Sequence, residues 1–322
     1  MRSIFLVSTL SLILPAVAQL NAAGAQESAA NVFITLGTNG GPEAESNRAQ
    51  PANALLVNND LYLVDAGDGA GAQLAKAGYR LPDIKGIFLS HLHFDHTGGM
   101  LALLGQRMQL NARNKLTIYG PPGTKSFIEG LLAAMDAPRK AAYGMPRQEW
   151  SADVEVQELF QDARVELAGF SVTTAENSHF KIPEASGTPE KAKALSFRFD
   201  LEDRSIVYTG DTGPSVAVEK LAKNADLLII EMMDIPAVLE NVRKNNPGAP
   251  PKMMAGIEWH FRAHHLLPTQ VGEMAAGAAA KRLVVTHMVP NIRDEAMVKH
   301  YTSEIAKAFG GEVVIASDLD RF

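Results

Sequence analysis

The chain has 322 residues, 46% hydrophobic and 20% charged, which is globular composition at a length that allows one large α/β core or two small ones. Its formal net charge is −6 and no Lys/Arg run of the kind that follows a phosphate backbone is present, so long polyanionic substrates are disfavoured. There is no cysteine, which excludes thiolate nucleophiles, thiolate metal ligands, disulfides and acylation at a lipoprotein cysteine.

Met1 and Arg2 lead into the apolar stretch IFLVSTLSLILPAVA, and two A-x-A sites follow, Ala16-Val17-Ala18 and Ala23-Gly24-Ala25. This pattern predicts a cleaved signal peptide over residues 1–25. The apolar run is too short, and too soon broken by Pro15, to cross a membrane. The expected mature protein is a single domain, 26–322, periplasmic or secreted, with no membrane span and with a homo-oligomer possible.

Short β-branched runs then alternate with turn residues: VFITLG (32–37), ALLV (54–57), LYLVDAG (61–67), IFLSH (87–91) and LTIYG (116–120). A second series comprises SVTTAE (171–176), SFRFD (196–200), SIVYTGD (205–211), LLIIE (227–231), LVVTH (283–287) and EVVIASD (312–318). Helical patterns follow Pro121-Pro122, Asp211 and Pro268, and a last one starts at Asp294 as N-cap. Early strands in hairpin-like pairs, with helices entering only afterwards, predict two sheets with helices outside. Two Pro/Gly/Ala-rich segments, 136–150 and 245–261, read as loops. Their aromatic and histidine residues Tyr143, Trp150, Trp259, His260 and Phe261 are candidates for pocket lining or for plain surface packing. His300 reads as solvated.

The polar residues fall at strand ends. IFLS runs into His91, the stretch at 171–176 into His179, SIVYTG into Asp211, LLII into Glu231 and LVVT into His287. Carboxyl ends of strands in an α/β arrangement face a common crevice. His91 and His93, two apart, share one side of an extended backbone, and Asp95 and His96 follow after a turn. One ion needs only three or four protein ligands. Seven candidates (His91, His93, Asp95, His96, His179, Asp211 and His287) suit two divalent ions about 3.5–4 Å apart. An all-nitrogen-and-oxygen donor set fits Zn2+ first, with Mn2+ or Fe possible. Asp211 by itself would read as a helix cap; the constellation makes it a ligand.

The motif His-x-His-x-Asp-His, a distant His, a Gly-Asp after a strand and a final Thr-His together resemble the metallo-β-lactamase-fold hydrolase superfamily, over nearly the whole mature chain. The resemblance implies a four-layer αββα sandwich. It places His91, His93 and His179 at one metal, Asp95, His96 and His287 at the other, Asp211 between them, and Asp65 of VDAG behind the ligands, orienting a histidine. The start at LGTNGG (36–41), DAGDG (65–69), the strand ending at Glu231 and HHLLPTQVGEMA before LVVTHMVP resemble the ribonuclease Z and arylsulfatase-like phosphodiesterase branch. That branch implies a metal-bridging hydroxide as nucleophile, Asp95 among the catalytic groups, and a Glu231–His265 pair that moves a proton to the leaving group. His264 is adjacent and competes for this assignment. The implied activity is hydrolysis of a small phosphodiester or sulfate ester. The alternative is lactamase- or lactonase-type hydrolysis of a cyclic amide or ester. Two departures from ribonuclease Z, a short tract between His179 and Asp211 and the missing basic run, make nucleic acid an unexpected substrate. Leu267 stands where that branch has a threonine.

Overall fold

The computed structural model describes residues 31–141, 150–182 and 192–322; the expected signal segment and Tyr143 lie outside them. In chain order the elements are β1 (Val32–Gly37), β2 (Ala52–Val57), β3 (Asp60–Ala66), α1 (Ala70–Lys76), β4 (Ile84–Phe88), α2 (Phe94–Thr97), α3 (Met100–Gln109), β5 (Leu116–Gly120), α4 (Thr124–Ala134), α5 (Asp136–Lys140) and β6 (Val154–Glu158). The second half comprises β7 (Arg164–Leu167), β8 (Phe170–Glu176), β9 (Leu195–Leu201), β10 (Ser205–Tyr208), α6 (Val216–Leu221), β11 (Leu227–Met233), α7 (Ile235–Asn245), α8 (Pro251–His264), α9 (Pro268–Gly277), β12 (Arg282–Val289), α10 (Glu295–Ala306), β13 (Glu312–Ile315) and β14 (Asp320–Arg321).

The strands form two seven-stranded sheets, ordered β14-β1-β2-β3-β4-β5-β6 and β13-β12-β11-β10-β9-β8-β7. Each sheet is antiparallel on one side and parallel on the other: β3 to β6 run parallel in the first, β10 to β13 in the second. The period-two alternation along the strands explains why two sheets must stack. In β11, Leu227 and Ile229 face the other sheet while Leu228, Ile230 and Met232 face outward, beneath helices. In β9, Leu195, Phe197 and Phe199 face the other sheet, with Ser196 and Arg198 between them.

Three apolar layers result. One lies between the sheets and includes Phe33, Val64, Phe88, Phe197, Tyr208 and Ile229. One packs the first sheet under α1, α3 and α4 through Leu74, Leu103 and Ile128. One packs the second sheet under α6, α9 and α10 through Val218, Val271 and Ile305. Three cores between four layers make the αββα sandwich expected from the sequence. No helix among the described residues is long and apolar enough to cross a membrane.

One local reading differs. The segment 245–261 is mostly the body of α8 rather than a loop. Pro251 occupies its first turn, where the missing N–H costs nothing, so the Pro-rich stretch starts a helix instead of preventing one. The helix that follows Asp211 begins at Val216, as its sequence pattern VAVEKLAKN implies, and is capped by Ser215, whose hydroxyl accepts from Val218 N–H. Asp211 is thereby free of any capping role.

Candidate metal centre

Parallel strands β4, β10 and β12 end at the same edge of the sandwich, and the histidines and carboxylates that follow them meet there. His91 and His93 come directly after β4, and α2 turns Asp95 and His96 back toward them. His179 follows β8, Asp211 follows β10, and His287 lies within β12. Both sheets therefore contribute candidate ligands.

Two groups form. The donor atoms of His91, His93, His179 and Asp211 all lie within 4.8 Å of one another, as do those of Asp95, His96, Asp211 and His287. Asp211 belongs to both and divides its oxygens between them. Its Oδ2 is 3.9 Å from His91 Nε2 and 3.9 Å from His179 Nε2. Its Oδ1 is 3.1 Å from His96 Nε2 and 3.1 Å from His287 Nε2. Asp95 Oδ2 stands 3.4 Å from His287 Nε2 and accepts Gly41 N–H at 3.2 Å. Gly40 is required here, because a Cβ on it would lie 2.7 Å from His287 Nδ1.

The donor chemistry fits cations. His91 Nε2, His96 Nε2 and Asp211 Oδ1 are buried with no hydrogen-bond partner, a costly arrangement unless an ion takes them. The tautomers can be worked out from their neighbours. His179 Nδ1 donates to the His264 carbonyl at 3.1 Å, so its Nε2 presents a lone pair, and it does so 3.1 Å from His93 Nδ1. His96 Nδ1 donates to Asp65 Oδ2 at 2.7 Å, which leaves Nε2 facing Asp211 Oδ1 at 3.1 Å, as the nitrogen an ion would take from the neutral ring. Burial lowers His91 well below the ordinary imidazole range and His179 to about 3, which keeps both unprotonated. Burial also opposes protonation of His96 and His287, but Asp211 and its neighbouring carboxylates outweigh it and hold His287 at about 9. One half of the site thus offers neutral imidazoles and the other a concentration of negative charge. Asp65 and His287 both have left-handed backbone (φ 59 and 44), a cost concentrated at the site.

Beside the two groups, His265 Nδ1 donates to Glu231 Oε1 at 2.9 Å, and the same oxygen accepts Thr212 N–H at 3.0 Å. The His265 ring lies 5.0 Å from that of His179 and stacks 6.5 Å from that of His287, so it stands next to both groups. Burial lowers its pKa, while Glu231 and Asp211 raise it further, leaving it above the ordinary value. His264 has a different environment: its Nε2 donates to the Lys181 carbonyl at 3.0 Å and its Nδ1 is 2.9 Å from His260 Nδ1. Both of its nitrogens are thus taken by groups other than Glu231. Phe180 was not anticipated from the sequence; its ring lies 4.7 Å from His179, 4.9 Å from His93 and 5.6 Å from His91. Being the residue after a ligand was its only signal.

The family sequence model described as Beta-lactamase superfamily domain matches residues 61–288, a span that contains all of these ligands. The chain belongs to the beta-lactamase superfamily. Among curated members of this superfamily it is 27% identical over 295 residues to a Ribonuclease Z of Mycobacterium sp. (strain KMS), covering 90% of this chain and 95% of that one. It is also 27% identical over 326 residues to a Ribonuclease Z of Pyrococcus furiosus, at 89% and 94% coverage. Its fold matches the metallo-beta-lactamase fold protein YhfI of Bacillus subtilis with a TM-score of 0.64 at 20% identity, over 91% of this chain and 98% of that one. Human tRNase Z, short form, matches with a TM-score of 0.61 at 22% identity, over 90% and 98%. The protein is accordingly a metal-dependent hydrolase of the metallo-β-lactamase fold.

Proposed function

We propose that the protein hydrolyses a small phosphodiester with two divalent ions, zinc in the first instance. His91, His93 and His179 would hold one ion, Asp95, His96 and His287 the other, and Asp211 both. Such ions, when bound, lower the pKa of water toward neutrality and offset charge on the substrate oxygens. The remaining work falls to the chain. Glu231 fixes the His265 ring through Nδ1, leaving Nε2 to carry a proton. From its place beside both ligand groups, His265 gives that proton to the departing alkoxide. Phe180 shields the imidazoles of the first group from solvent on one side.

The Glu231–His265 pair is the observation that carries this reading. An alkoxide leaving from phosphorus needs such a donor, and the pair supplies one beside both ligand groups. The relatives' name brings RNA as a substrate class. The net charge of −6 and the short tract between His179 and Asp211 favour a smaller ester.

The test compares two phosphodiesters that differ in leaving group. His265→Ala should lower turnover by roughly 10²–10⁴-fold for an alkyl leaving group and by less than about tenfold for nitrophenolate. Equal losses on both would remove His265 from this role. Turnover of nitrophenyl sulfate or of a lactam, with none of either phosphodiester, would overturn the substrate class.

A further inference from the structure

Asp65 is fully buried at the end of β3, and its carboxylate receives four hydrogen bonds, each 2.7 Å long. Oδ1 accepts Ser90 N–H. Oδ2 accepts the Ser90 hydroxyl, His96 Nδ1–H and the Tyr208 hydroxyl, the last reaching across from the opposite sheet. Since the Ser90 hydroxyl proton is spent on Asp65, Ser90 Oγ can only accept from its other neighbour, His91 Nδ1, at 3.1 Å. His91 must then carry its proton on Nδ1 and turn its Nε2 lone pair, which has no partner in the protein, toward Asp211.

We infer that Asp65 Oδ2 is a common anchor for both metal sites, holding His96 directly and His91 through Ser90, and that Ser90 is the positioning residue of the first site. The inference rests on the two-metal reading and not on any substrate. One carboxylate oxygen reaches a ligand of each group by routes of different length, so the two routes can be cut separately. The serine is closely packed. Gly210 packs so close that a Cβ there would lie 2.9 Å from Ser90 Oγ, and all five side chains of the network are 0–1% exposed. Tyr208 gives Oδ2 a third hydrogen bond and so helps hold the carboxylate in place without serving either ligand itself.

Removing such an outer partner typically weakens metal binding by about 10–100-fold. The experiment is competition of zinc between the full-length protein and a chelator, resolving the first and second ion. It is paired with the paramagnetically shifted imidazole N–H resonances of the cobalt-loaded protein. Ser90→Ala should weaken one binding step by about 10–100-fold, leave the other within about threefold, and speed solvent exchange of one shifted N–H resonance only. Asp65→Asn should weaken both steps. Tyr208→Phe, which cuts neither route, should preserve both within about threefold. Ser90→Gly makes the same deletion as Ser90→Ala with less bulk, and serves if the alanine variant does not fold. Equal weakening of both steps by Ser90→Ala, or no change in either, would overturn the proposal while the two-metal reading stood. Failure of the unaltered protein to bind two ions would overturn that reading, and this inference with it.

Discussion

At the scale of single residues, the clustering of the candidate ligand histidines was legible because so many closely spaced imidazoles at a strand end are costly unless a cation takes their lone pairs, and the groups behind them were not. Nothing in the string SIVYTGD says that the Tyr208 hydroxyl crosses to the other sheet. The only hint is the general need of a buried tyrosine for a partner. Likewise the choice between His264 and His265 was undecidable in sequence and becomes a matter of which ring reaches Glu231. A partly buried carboxylate far from the ligands illustrates a purely structural role. Asp226 accepts Lys281 Nζ at 2.6 Å and the Ser205 N–H and hydroxyl at 2.8 and 2.9 Å, tying together the starts of β10, β11 and β12, at the end opposite the ligands. Burial raises its carboxyl, but the bonds from Lys281 and Ser205 outweigh this and bring it from 3.8 down to about 2. The folded state therefore binds fewer protons than the unfolded chain in that interval. The resulting stability is present above about pH 3.8 and is lost as pH falls toward 2. Between pH 4 and 2 the urea midpoint of Asp226→Asn should fall less steeply than that of the unaltered protein; parallel curves would mean that the carboxylate contributes nothing.

At the scale of elements, strands were read well because alternation and β-branching survive burial, whereas short helices were not. α1 is entered through Gly69 in left-handed backbone with no side-chain cap, so it carries none of the usual start signals. α7 and α8 were hidden by the Pro and Gly residues between them. Two-residue β14 has no periodicity to detect; it exists because Thr35 and Ile34 of β1 pair with Asp320 and Arg321. The element most closely tied to the site is β4. Phe88 ends it, three residues before His91, and its ring packs 4.7 Å from Tyr119, 5.6 Å from Phe197 and 5.4 Å from Phe199. This aromatic cluster joins the two sheets directly under the ligands. Phe88→Ala should cost about 3–5 kcal/mol in chemical denaturation. A loss below about 1 kcal/mol would show that the cluster relaxes around the gap.

For the whole molecule, the alternation of strands and helices pointed to stacked sheets, and the spread of ligands along the chain required both sheets to share an edge. The strand order within each sheet was beyond reach, since it depends on which edges the chain ends complete. Ligands drawn from both sheets make bound metal a cross-link between them. An ion present at 100 times its dissociation constant adds about 2.7 kcal/mol to stability. Stripping the protein with a chelator and removing the chelator should therefore lower its melting temperature by roughly 5–10 °C, and zinc should restore it. A stripped protein that melts with the loaded one would count against the metal centre.

The position of His287 has a consequence for biosynthesis. The first four ligands leave the ribosome early, the last appears only with β12, and the first sheet stays open at one edge until Asp320 and Arg321 arrive to pair with β1. A growing chain thus presents a loose cluster of histidines, and the second group lacks His287 until β12 has been made. The order of synthesis therefore delays completion of the second group until His287 joins Asp95, His96 and Asp211.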